Sequence, residues 1–315
     1  VAAAVRPAVL IQTKLLPGCA LPHISGKEVS QEKKMISKKQ INRTICLLVL
    51  LLIPAVGHSQ TFGKNKVQYR DFEWNFIQSE HFDVYYYADG KALASFVADV
   101  SEGSLERIEK VYQGEIKTRI PILVYNSHND FAQTNATYST ITESVGGFTE
   151  IFKNRVVLPF QGNYEEFRHV VEHELTHAVL FQVFYGGGLG SSVTNMARFQ
   201  IPLWLAEGLA EYESLGWDTD SDMYMRDAVI NGYIPPVNML SGFLIYKGGQ
   251  SILNYIDEKY GEPKIGELLS EVRLKKNMES ALETTIGLDY EGLSDNWHKY
   301  LKRKYWPDIE DRKEP

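Results

Sequence analysis

Cysteine is nearly absent. The 315 residues contain two, Cys19 and Cys46. Everything after residue 46 therefore lacks disulfides and thiol chemistry. Long apolar runs are scarce as well. The longest, residues 45–56, is 12 residues, short of the roughly 20 that cross a bilayer as a helix. Excess positive charge is missing: the formal net charge is −7, which excludes a protein built to bind nucleic acid nonspecifically. The glycine-rich stretch 186–192 lacks the Gly-Lys-Ser/Thr of a phosphate loop, so nucleotide binding is not expected. There are no internal repeats.

The chain does contain a basic segment ahead of the apolar run. The first Met is Met35, followed by Lys38, Lys39 and Arg43, then residues 45–56 and small residues near Gly57 and Ser59. This order fits a secretion signal over 35–59. Residues 1–34 are then an over-extended start, and the expected location is the periplasm or the outside of the cell. Without residues 1–60, which hold eight Lys and Arg and two Glu, the remainder has 25 basic and 38 acidic side chains, net −13.

The chemistry centres on His173-Glu174-Leu175-Thr176-His177. Apolar residues Phe167, Val170, Val171, Val179 and Leu180 surround it at helical spacing, and Asn163 can cap the helix. On a helix, His173 and His177 lie one turn apart on one face. Two neutral imidazoles there can hold one divalent metal, with the Glu174 carboxylate placed to take a proton from water on that metal. Unpaired, three such groups on an apolar helix would cost several kcal/mol to bury.

A catalytic zinc usually has three protein ligands. A third His six residues beyond His177 is ruled out by Leu180 and Val183 in that region. The better candidate lies in Pro202-Leu-Trp-Leu-Ala-Glu-Gly-Leu-Ala-Glu-Tyr212. Pro202 suits a helix start. Glu207 and Glu211 share a face four residues apart. Glu207 would complete a His₂Glu set, and Glu211 could accept the free ring N–H of a ligand His. Gly208 would let two helices approach closely. His169 lies one turn before His173 and suggests a surface or outer-layer role. His128, beside Asn129 and Asp130, reads as a turn residue.

The pair of motifs resembles the gluzincin metallopeptidases, and within them the compact peptidase MA-like domains of secreted bacterial proteins, over about residues 80–305. The resemblance implies a thermolysin-like α+β fold, Zn²⁺ held by His173, His177 and Glu207, Glu174 as general base, and a peptide or protein substrate. Tyr246-Lys-Gly-Gly-Gln-Ser-Ile-Leu is similar to a helix of aminopeptidase-N-like enzymes whose Tyr stabilises the oxyanion, which implies that role for Tyr246. The Gly-x-Met-Glu-Asn strand of those enzymes is replaced here by Gly146-Gly-Phe-Thr-Glu150, so aminopeptidase activity is unsupported. The alternative function is a non-catalytic, zinc-stabilised binding module with an envelope protein partner.

The pattern along the chain predicts a linker over 60–79, a peptidase lobe over 80–215 carrying both motif helices, a helical lobe over 216–306, with the zinc site between the lobes, and a tail over 307–315. Strands are expected at 82–88 and 119–125, and a hairpin turning at Lys153-Asn154. Helices are expected at 91–112, 218–231, 247–260, 265–274, 278–286 and 290–305. The glycine-rich stretch 186–192 reads as a flexible linker.

Overall fold

A computed structural model describes residues 66–186 and 189–308. The predicted signal segment 35–59 and residues 1–34 lie outside the described residues. The first half alternates strands and helices: β1 (Trp74–Gln78), β2 (Phe82–Tyr87), α1 (Lys91–Tyr112), β3 (Ile120–Tyr125), a one-turn α2 (His128–Phe131), β4 (Phe148–Glu150), β5 (Arg155–Pro159) and α3 (Tyr164–Tyr185). The second half is helical: α4 (Leu189–Arg198), α5 (Leu203–Leu215), α6 (Thr219–Ile230), α7 (Leu244–Tyr260), α8 (Pro263–Lys275), α9 (Met278–Ile286) and α10 (Tyr290–Tyr305). The architecture is α+β, as expected.

The sheet has the order β1-β2-β3-β5-β4. Its centre is parallel, and β1 and β4 are antiparallel edges. Side chains alternate across it as the strand period requires. Phe82, Val84, Ile120, Ile122, Val124, Val156 and Leu158 enter the main core under α1 and α3, whereas Tyr87, Tyr125 and Val157 form a smaller aromatic core on the opposite face with Phe131. Ser127 caps α2 by accepting from the Asp130 N–H. His128 lies in that turn with Nε2 3.2 Å from the Val145 carbonyl, a turn role as predicted.

Two expectations are corrected. The stretch 60–79 contains β1, paired with β2 from Trp74↔Tyr87 to Gln78↔Asp83. It escapes a pattern-based reading because an edge strand with little burial shows no alternation. The glycine-rich stretch is not a linker throughout: α4 starts at Leu189 and packs on α3. Met196 and Phe199, at its C-terminal end, contact the main core. This burial outweighs the weak helix propensity of glycine.

α7 crosses α5 with their backbones in contact. A Cβ built on Gly249 would fall 2.2 Å from the Trp204 carbonyl oxygen, and one on Gly208 would fall 2.5 Å from the Gly249 carbonyl carbon. Only glycine at both positions permits this spacing. The contact lies next to Glu207 and Glu211 on one helix and Tyr246 and Lys247 on the other.

Candidate metal centre

α3 begins where Asn163 accepts hydrogen bonds from the Glu165 and Glu166 N–H groups, the predicted cap. Its Phe167, Val171, Leu175 and Val179 are buried in the main core, which turns His173 and His177 toward α5. α5 starts after Pro202 and buries Trp204, Leu205 and Leu209. Its Glu207 and Glu211 thereby point back at α3.

His173 Nε2 lies 3.4 Å, and His177 Nε2 3.1 Å, from the same oxygen of Glu207, Oε2. Tetrahedral coordination with bonds of about 2.0–2.1 Å separates neighbouring ligand atoms by about 3.3–3.4 Å. Both imidazole-to-carboxylate spacings are therefore close to that edge of a zinc tetrahedron, and all three ligand atoms lie within 4.8 Å of one another. The Nδ1 atoms of both rings are buried and make no well-aligned hydrogen bond, His173 Nδ1 lying 3.1 Å from Glu211 Oε1. Two imidazoles and a carboxylate are also the donor set that zinc favours. His173, His177 and Glu207 fit the ion.

The electrostatics agree with a cation site. Burial disfavours the charged form of Glu207, but hydrogen bonds to His173 and His177 outweigh it and bring its pKa down to about 2. Burial pushes His173 down, yet Glu207, Glu211 and the charge of Glu174 reverse this and take it up to about 10.

Glu174 is buried beside the candidate ligands, and its carboxylate is held from the sheet. The Thr149 hydroxyl on β4 lies 2.7 Å from Glu174 Oε2 and 2.9 Å from the Glu174 carbonyl. Among the described residues Oε1 has no hydrogen bond and remains the free oxygen. Tyr246 stacks near His173, with ring centroids 6.3 Å apart and planes inclined by 23°. Burial, then the carboxylates of Glu207, Glu174 and Glu211, push its phenol up from the usual range, so it stays a proton donor.

Behind the candidate ligands, Glu211 Oε1 is 3.1 Å from His173 Nδ1, within bonding distance but oblique to the ring N–H direction, and 3.7 Å from His169 Nε2. His169 Nδ1 meets the Ser214 hydroxyl at 3.0 Å. His169, His173 and Glu211 are also close enough to form a cation cluster. Glu211, however, already accepts from the Lys247 ammonium at 2.6 Å. A fixed positive charge there leaves the His173–His177–Glu207 set as the better cation site. Sequence reasoning brought together His173, Glu174, His177, Glu207, Glu211 and Tyr246. It missed Thr149 and Lys247, whose partners lie 25 and 36 residues away with no spacing rule to link them.

No curated protein matches the chain. Among solved structures it is similar to a two-domain M1 zinc metallopeptidase, a point mutant bound to the amino acid L-tryptophan. The identity is 14% and the TM-score 0.39, over 72% of this chain and 51% of that one. It is also similar to the M1 zinc metallopeptidase from Deinococcus radiodurans, at 13% identity and a TM-score of 0.36, over 76% of this chain and 52% of that one. The chain thus spans about half the length of these structures. The family model of the peptidase MA superfamily matches residues 101–303. That match covers well over half of the chain and includes α3, α5 and α7 with every candidate ligand: the protein belongs to the peptidase MA superfamily.

Proposed function

We propose that this protein is a zinc-dependent hydrolase of peptide bonds, exported from a bacterial cell by segment 35–59. The observation that carries the reading is the convergence of His173 Nε2 and His177 Nε2 on one Glu207 oxygen, with the buried Glu174 carboxylate beside them. Bound zinc supplies Lewis-acid polarisation of a carbonyl and makes water acidic enough to lose a proton near neutral pH.

The chain's own residues account for the rest. Glu174 takes the water's proton at Oε1, since Thr149 occupies Oε2, and passes it to the departing amine. Tyr246 donates its phenolic hydrogen to the oxygen that gains charge. β4 is an edge strand whose Thr149 touches Glu174, so its free side offers backbone groups to an extended peptide. The substrate class is therefore a peptide or protein segment.

The test compares wild type with Glu174→Gln on a quenched-fluorescence peptide library, with zinc measured by mass spectrometry. Both should carry one zinc per chain, and the variant should lose at least about 100-fold in cleavage, the low end for a general base. Equal cleavage by the two removes Glu174 from the mechanism. Bound zinc with no turnover by wild type favours the non-catalytic module in an envelope assembly.

A further inference from the structure

The polar layer behind the metal ligands ends at Lys247. This residue lies in the first turn of α7, buried, with a side chain 11% exposed. It reaches Glu211 because the Gly208–Gly249 contact brings α7 against α5. Its ammonium donates to Glu211 Oε2 at 2.6 Å, while the other oxygen of the same carboxylate stands 3.1 Å from His173 Nδ1. Glu211 is thus held between a cation and a metal-ligand ring.

A buried carboxylate deprived of its full-charge partner is unstable where it stands. Glu211 has no hydrogen bond to backbone N–H groups among the described residues, and the Lys247 ammonium, at 2.6 Å, is its shortest contact, ahead of His173 at 3.1 Å and His169 at 3.7 Å. The Nδ1 of His173, in turn, is within reach of Glu211 and, among the described residues, hydrogen-bonds to no other acceptor. We infer that Lys247 is a positioning residue of the metal centre: it holds Glu211 against His173 and thereby sets how tightly the centre binds a divalent cation. The inference rests on His173, His177 and Glu207 being the ligands.

The sign of the effect separates this role from a simpler one. An ammonium acting only through its charge repels a nearby cation, so its removal would tighten metal binding. An ammonium that orients an outer-layer partner does the reverse, and loss of such partners weakens binding by about 10–100-fold.

The experiment measures Zn²⁺ affinity of the full chain by competition with a chromophoric chelator. The set is wild type, Lys247→Met, Glu211→Gln and the double variant, with circular dichroism and melting of each metal-free protein to establish folding. Lys247→Met should weaken binding by about 10–100-fold, and the double variant should match Glu211→Gln to within about twofold, the scatter of such cycles. Unchanged or tighter binding by Lys247→Met overturns the inference, as do losses that multiply in the double variant. Should Lys247→Met fail to fold without metal, Lys247→Gln, which keeps a hydrogen-bond donor and loses the charge, carries the same comparison. Failure of wild type to bind zinc refutes the ligand assignment itself, whereas zinc in wild type with unaltered affinity in the variants refutes the role of Lys247 alone.

Discussion

One helix, α5, carries buried carboxylates into two different neighbourhoods, and they ionise in opposite ways. Toward α3 and α7, Glu207 and Glu211 meet imidazoles and an ammonium. Burial disfavours their charge, but those partners bring each down to about 2. Toward α1, Glu213 is as buried as Glu211, and more so than Glu207, and pairs with Arg107. Here burial dominates, Arg107 pulls back only part of the way, and Glu262 and Glu172 push further, so the carboxyl is raised to about 7. The Arg107 side chain is 45% exposed, and water screens its charge. Depth of burial therefore does not decide ionisation on this helix. The enclosure of the partner does, and the enclosed side is the one that holds the candidate ligands.

The comparison breaks most strongly at Glu207. Replacing it by alanine leaves two imidazoles without the shared anionic oxygen. Zinc affinity should fall by more than about 100-fold, beyond what an outer-layer partner contributes. Chelator competition measures this. A fall of less than tenfold would mean that another carboxylate takes its place and that the convergence on Oε2 is incidental.

Glu213 sharpens the other half. Its folded pKa is raised above the unfolded value of 4.5 to about 7. Between those values the unfolded chain gives up a proton that the folded chain keeps, so stability falls as pH rises through this window and stays lower above it. At about 1.36 kcal/mol per pKa unit the loss is at most about 3 kcal/mol. Glu213→Gln cannot ionise. Relative to wild type it should gain melting temperature on going from pH 4.5 to pH 8, by several degrees at about 2–4 °C per kcal/mol. Parallel pH profiles for the two proteins would show that Arg107 compensates Glu213 after all.

This contrast also marks how far the sequence could be read. The convergence of imidazoles and carboxylates was legible because its parts repeat at helical spacing: His173 and His177 on α3, Glu207 and Glu211 on α5, each pair one turn apart. The helix ends were legible where capping chemistry is local, as at Asn163, and α9 and α10 start and stop at the predicted residues. What stayed hidden depends on tertiary neighbours. β1 is an exposed edge, α4 gains its stability from packing on α3, and Thr149 and Lys247 matter only because β4 and α7 arrive beside α3 and α5. Gly208 was legible as a close-approach residue, but its partner Gly249 was not. The raised carboxyl of Glu213 was equally invisible, since nothing local distinguishes it from Glu211 two residues earlier.

The smallest effect is expected at His169, and it tests whether the favoured side of α5 has one cation site or two. The ring lies 5.8 Å from that of His173 and could join Glu211 in a second cluster. Three features argue for a bystander. Its Nε2 is 3.7 Å from Glu211, beyond a good hydrogen bond. Its Nδ1 is taken up by Ser214. The Lys247 ammonium already neutralises the carboxylate the cluster would need. His169→Asn should therefore change zinc affinity by no more than about threefold, below the range for partners that orient a ligand, and leave the stoichiometry at one. A stoichiometry of two in wild type that drops to one in His169→Asn would make Glu211 a ligand, and would place Lys247 beside a metal instead of in place of one.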